Sequence, residues 1–383
     1  MASADYPYAS QLRIELGLRN RRYARGRAHV ESYGNPPVIV YAPEHPTDED
    51  LSVGTPPEHP TDEDLSVGTP EHPTKRNVLV GIPSGSVRHG NFFDRAYAAI
   101  AARPLWMRRF DKVHTQGARS LPRSVLEPGR RWRELDSSMS SDALLMNVFC
   151  TPGVVESAAV QAMLGVMGDA PVFGWRARVP LRNGRFDRTE VDMRLGGLLV
   201  EAKLTESDFQ TCKTAVAESY RDFDEVFDPG LLPCATLPVG RRREAVEFPE
   251  DYSQEGESLI DLTETGSAHA SGPPLPVGRL LAAEKVEAGY ASYQLIRNVL
   301  AAWAQGCHFC VIHDARRPDL REAWFQVMAA VKPAEMRVRL KVLTWQELAA
   351  VLPEDLQEFL DLKYGIVRPG RVVSTVEDAE NSG

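Results

Sequence analysis

The chain is poor in cysteine, with five in 383 residues. That odd, sparse set (Cys150, Cys212, Cys234, Cys307, Cys310) argues against a secreted disulfide scaffold and for a reducing, cytoplasmic setting. A long apolar run is also missing. Nothing approaches the ~20 continuous apolar residues of a membrane span, so no membrane partner is expected. The opening MASADYPYAS has no basic region followed by an apolar stretch, and no secretory signal is read there. The Gly/Ser-rich residues 81–86 lack the GK[ST] of a phosphate loop, and no second CxxC accompanies Cys307-His308-Phe309-Cys310. Positive charge is not in excess either: 44 Lys+Arg stand against 53 Asp+Glu, a net charge of -9. Residues 43–74 carry nine of those acids and no Lys or Arg, which leaves 44 of each sign elsewhere. A balanced body does not exclude a nucleic-acid partner, whose footprint is a local patch.

Two segments stand out by composition. Residues 44–56, EHPTDEDLSVGTP, are repeated letter for letter at 58–70, and EHPT follows at 71–74. The repeat is too short and too polar to build a solenoid, so 43–76 is expected to be a disordered linker. Residues 244–278 hold eight acids and no Lys or Arg. LPVGR at 237–241 recurs at 275–279, which marks 241–278 as a disordered insertion. Between these segments, 101–135 holds nine Lys or Arg, with Trp106, Phe110 and Trp132 interleaved. That mixture suits phosphate contacts with stacking, and Arg108, Arg109, Arg130, Arg131 and Arg133 are the candidates. A solvated basic surface with the tryptophans packed inward fits equally well.

Periodicity gives a coarse order of elements. A helix is expected within 137–150, capped by Ser140 or Ser141, and a second from Pro152 onward. Strands are expected at 172–181, 189–195 and 198–204, then a long amphipathic helix over 279–304. A strand at 307–313, a helix at 320–331, a strand at 337–343 and a helix at 346–352 complete the set. The fold class is α/β with a mixed sheet. The expected divisions are an N-terminal extension (1–136), a core (137–352) and a C-terminal helix and tail (353–383).

The most informative stretch is 189–204, TEVDMRLGGLLVEAKL. A two-residue Gly196-Gly197 loop pairs Leu195 with Leu198, which places Asp192 opposite Glu201 and Glu190 opposite Lys203. Alternation puts Val191, Met193, Leu195, Leu198, Val200, Ala202 and Leu204 on an apolar face. Opposed side chains have Cβ atoms about 4.5–5.5 Å apart, so two carboxylates meet on the other face. They repel, and a divalent cation relieves that repulsion. Hard oxygen ligands select Mg²⁺ or Mn²⁺, and Lys203 lies on the same face. An amphipathic hairpin with a solvated charged face is the alternative reading of these residues alone.

Asp192, eight residues, then Glu201-Ala202-Lys203 resembles the active-site hairpin of the PD-(D/E)XK, or restriction-endonuclease-like, nuclease superfamily. The helix SSDALLMN, the block YRDFDEVFD at 220–228, YQLIRN at 293–298 and LTWQEL at 343–348 resemble a bacterial group of restriction endonucleases. Val191 stands where the motif has Pro. The resemblance implies an α-β-β-β-α-β core and a metal-dependent endonuclease acting on DNA. It implies that Asp192, Glu201 and the Ala202 carbonyl hold Mg²⁺, and that Lys203 orients or activates the attacking water. It also implies an acid from the first helix, with Glu156 or Glu190 as candidates, and a glutamine after the third strand. Gln294 fits that place, with Tyr290 one turn earlier, Arg297 on the same face, and Asn298 where some relatives carry Tyr. Cutting both strands needs two sites, which a homodimer would supply. The alternative on the same fold is a nucleic-acid-binding module without catalysis.

Overall fold

A computed structural model describes residues 7–32, 38–44, 88–112, 133–188, 190–238 and 286–370. The acidic repeat from 45 onward, the insertion 241–278, and Arg130 and Arg131 lie outside these residues. The helices that matter below are α1 (Pro7–Tyr23), α2 (Asp94–Ala101), α3 (Ser141–Phe149), α4 (Ala158–Leu164), α5 (Tyr293–Gln305), α6 (Pro318–Ala329), α7 (Trp345–Ala349) and α8 (Glu354–Tyr364). The strands are β1 (Val172–Arg176), β2 (Glu190–Leu195), β3 (Leu198–Ala202), β4 (Thr211–Lys213), β5 (Cys234–Pro238), β6 (Val286–Ala291), β7 (His308–His313) and β8 (Leu340–Thr344).

The main sheet has five strands in the order β8-β7-β3-β2-β1. The pairs β1–β2 and β2–β3 are antiparallel, while β3–β7 and β7–β8 are parallel, so the sheet is mixed. Helices cover both faces. On one, Leu144, Leu145 and Val148 of α3 pack with Trp345, Leu356 and Leu360 against Met193, Val200 and Ile312. On the other, Leu295, Ile296 and Val299 of α5 pack with Trp324 against Leu199, Phe309 and Val311. Every residue of β3 is buried, as a central strand covered on both faces must be. Cys307 and Cys310 fall in the two opposite clusters, which separates them as potential zinc ligands. Leu12 and Leu16 of α1 and Leu356 and Leu360 of α8 join the first cluster.

Ser140 caps α3, its hydroxyl accepting the Ala143 N–H at 3.1 Å. The second expected helix begins later than Pro152: residues 151–156 form turns, and α4 starts at Ala158. The expected continuous helix over 279–304 is a larger departure. Residues 286–291 form β6, paired on both sides by β4 and β5, and the helix begins only at Tyr293. Gly289 explains the difference. It is a poor helix former, and a Cβ there would meet the Cys212 carbonyl oxygen at 2.5 Å. Pairing on both edges overrides the helical pattern of the neighbours. Tyr290 therefore lies in a strand, donating to Glu218 at 3.2 Å, and not one helical turn before Gln294.

One buried charge belongs to the scaffold. Lys363 at the end of α8 is fully buried, and its ammonium donates to Asn20 Oδ1 at 2.9 Å among the rings of Tyr23, Tyr41 and Tyr364. Burial, then the charge of Arg27, push its pKa well below the usual lysine value. The unfolded chain takes up that proton more readily, so Lys363 costs stability at neutral pH and the cost shrinks as pH rises toward the ordinary lysine value. Lys363→Met is expected to be neutral to stabilising by about 1–4 kcal/mol at pH 7. Asn20 Oδ1 keeps the Tyr41 hydroxyl as a donor. Urea unfolding of both proteins checks this, and a clear loss of stability in Lys363→Met would refute it.

Candidate active site

The hairpin forms as its spacing predicts, up to a point. Leu195 pairs with Leu198, Arg194 with Leu199 and Met193 with Val200. The next pair in that register, Asp192 with Glu201, is where the ladder stops. The Ala202 N–H, which the ladder would direct to the Val191 carbonyl, instead donates to the Asp192 carboxylate at 2.8 Å. Val191 leaves the face expected for it and packs with Leu199 in the second cluster. The other edge of β2 is irregular at the same residue. The β1–β2 register runs through Phe173–Met193 and Trp175–Val191 but skips Gly174, whose φ is +60°. The Gly174–Asp192 pair is thus missing from this ladder, at the residue whose carboxylate takes the Ala202 N–H on the other edge.

Around the gap, three elements deliver polar groups. Lys203 follows β3, its N–H donating to the Ile312 carbonyl at 2.8 Å and its carbonyl accepting from the Trp345 indole at 3.0 Å. Its ammonium meets Glu201 Oε1 at 2.9 Å and Gln294 Oε1 at 2.8 Å. The other Glu201 oxygen accepts from Asn298 Nδ2 at 2.7 Å. Gln294 and Asn298 are one turn apart on α5, which explains how one helix face serves both members of the Glu201–Lys203 pair. Arg297, from the same helix, donates to the Glu190 carbonyl at 3.3 Å.

Asp192, Glu201, Lys203 and Gln294 are thus brought together. Glu190 does not face Lys203. It pairs in register with Arg176, and its carboxylate is ion-paired to Arg109 and lies 3.8 Å from Lys112. Glu156 is exposed in the turn before α4. The first-helix acid that reaches the site is Asp142 on α3. It accepts from Arg109 Nη2 at 2.7 Å and from Lys112 Nζ at 3.2 Å. Asp142 and Asn298 were missed in the sequence. The available signal for Asp142 is a lone acid directly before the apolar run Ala143–Met146. Of the basic stretch, Arg109 is a buried partner of this cluster rather than a surface residue, Arg108 is exposed, and Arg133 pairs with Asp111 at 3.5 Å.

The electrostatics follow from burial. Burial raises the Asp192 pKa well above the usual carboxylate range, and the nearby Glu201 and Asp142 carboxylates raise it further. Lys203 and the Ala202 N–H oppose this only in part. Burial works against the Lys203 ammonium, but Glu201, Glu206 and Asp192 outweigh it, so its pKa is raised and its charge is held. Asp142 resembles neither: burial would raise its pKa, yet Lys112 and Arg109 hold it below the usual value. The site therefore contains one satisfied acid and one carboxyl group short of positive charge.

Comparison with known proteins decides the family. The family model described as Restriction Endonuclease associating with ARP matches residues 59–365. The chain belongs to this family. No curated protein and no solved structure is detectably similar to it. The restriction-endonuclease family match spans the hairpin, α3, α5 and the basic stretch, so every residue brought to the gap lies within it. No helix among the described residues is long and apolar enough to cross a membrane.

Proposed function

We propose that this restriction-endonuclease family member is a metal-dependent endonuclease that cleaves DNA in the cytoplasm of a bacterium. The observation that carries the reading is the Asp192 carboxyl group, half-buried beside the buried Glu201 and short of positive charge, with a charged Lys203 held against Glu201. The order α3, β1, β2, β3, α5, β7 supports reading the sheet and its helices as the α-β-β-β-α-β core of the superfamily.

The residues fit a hard divalent cation. Among the described residues there is no ready-made cage of three or more His, Cys, Asp or Glu. The donors on offer are oxygens only: Asp192, Glu201 and the Ala202 carbonyl, which would hold Mg²⁺ or Mn²⁺. When bound, such an ion supplies Lewis acidity and lowers the pKa of water. Asp192 and Glu201 would be held ionised together. Lys203, whose charge is held, orients the attacking water and stabilises the charge that develops on the scissile phosphate; a raised pKa unsuits it as a base. Gln294 holds the Lys203 ammonium in place, and Asn298 fixes the Glu201 carboxylate. A homodimer would bring two such sites to the two strands, and ARP, the associate in the family's name, is a partner to test by co-purification.

The test is incubation of the purified chain with supercoiled plasmid and Mg²⁺ or Mn²⁺, beside an EDTA control. Metal-dependent nicking is expected. Absence of cleavage together with no thermal stabilisation by Mn²⁺ would refute the metal site and leave a binding module. Mn²⁺ stabilisation without cleavage would keep the site and refute the substrate.

A further inference from the structure

We propose that Arg109 stands in for a second divalent cation, so that the site takes one metal ion per chain. The inference rests on the functional reading above. Four carboxylates lie in or beside the gap, no three of them close enough to form one cage: Asp142 from α3, Glu190 and Asp192 from β2, and Glu201 from β3. They divide into two pairs. Asp192 and Glu201 share only Lys203 and backbone or amide donors. Asp142 and Glu190 are bridged by one guanidinium, Arg109 Nη2 to Asp142 Oδ2 at 2.7 Å and Nη1 to Glu190 Oε1. Lys112 adds a second positive charge, 3.2 Å from Asp142 and 3.8 Å from Glu190.

The bridge is built into the fold. Arg109 is 8% exposed, in a short 3₁₀ turn over Arg108–Asp111. The next residue, Phe110, anchors that turn in a cluster with Phe92, Tyr97 and Leu135. Room for the guanidinium comes from Gly174: a Cβ there would collide with Arg109 Nη1 and come within 3.2 Å of the Glu190 carboxylate carbon. Gly174, beside the skipped pair, therefore makes the cradle for the arginine. Arg109 Nε is buried and has no hydrogen-bond partner, so one donor of this cation is unspent. A guanidinium spanning two carboxylates occupies the place and much of the charge that a second divalent ion would need.

The test is titration of the full, metal-free chain with Mn²⁺, read by calorimetric stoichiometry and by the electron paramagnetic resonance of bound Mn²⁺. One ion is expected in the wild type, two spin-coupled ions in Arg109→Ala, and one again in Arg109→Ala/Asp142→Asn. Two ions in the wild type, or one in folded Arg109→Ala, would overturn the proposal. Should circular dichroism show Arg109→Ala unfolded, Arg109→Gln carries the same expectation and the same overturning result. No ion in the wild type refutes the metal-dependent reading itself, a result distinct from two.

Discussion

Lys203→Ala is expected to lower metal-dependent plasmid nicking by about 10²–10³-fold or more while leaving Mn²⁺ binding intact. The ammonium lies against the hairpin's carboxylates, and Glu201 and Gln294 fix its position. Removing it takes away the group aimed at the developing phosphate charge and leaves the carboxylates that would hold the ion. A second effect accompanies the first. Glu201 is 2% exposed, and without Lys203 it keeps only the Asn298 amide as a named partner. Breaking a buried pair from one side costs about 3–5 kcal/mol, so the metal-free variant should melt lower. Mn²⁺ takes over as counter-ion to Glu201, so the rise in Tm on adding Mn²⁺ should be larger in Lys203→Ala than in the wild type. Initial nicking rates with paired melting curves check both parts. Undiminished cleavage by the variant would remove Lys203 from the reaction.

Asp192→Asn has the opposite effect on the metal-free protein. Burial, Glu201 and Asp142 raise the Asp192 pKa in the folded chain above its ordinary value of 3.8. The folded state then binds the proton more tightly than the unfolded state. The associated stability is fully present below the ordinary carboxylate value and is lost as pH rises through the raised one. Each unit of the difference is worth about 1.4 kcal/mol. The metal-free wild type should therefore lose stability across that window, and Asp192→Asn should not. The asparagine keeps an oxygen to accept the Ala202 N–H, so the variant should melt higher than the wild type at neutral pH. With Mn²⁺ the sign reverses: the ion binds the ionised carboxylate, its stabilisation grows with pH in the wild type, and the variant gains little. Melting curves from about pH 4 to about pH 8, with and without Mn²⁺, decide this. A wild-type profile flat in both series would refute the charge shortage at Asp192.

Much of the candidate site's geometry was legible because it is local. Asp192, Glu201 and Lys203 lie within twelve residues on one hairpin, where a Gly-Gly turn and a period of two suffice to relate them. Gln294 was legible through family resemblance and one helical segment. Asp142 and Asn298 were harder. Asp142 lies in a helix that is buried along its length, a place where an acid makes sense only once Arg109 and Lys112 are beside it. Asn298 read as a departure from Tyr, and its role shows only when α5 lies over β3. The long helix expected over 279–304 failed because pairing by β4 and β5 outweighs local propensity at Gly289.

The sequence by itself determined the elements whose causes are short-range: the hairpin turn with its first three cross-strand pairs, the Ser140 cap and the strand His308–His313. The tertiary structure alone decided which charge meets which. Periodicity paired Glu190 with Lys203, yet the folded chain seats Arg109 over Gly174 against Glu190 and leaves Lys203 to Glu201. Partners of buried charges are chosen by the packing of distant segments, since a buried ion must find a countercharge wherever the fold brings one.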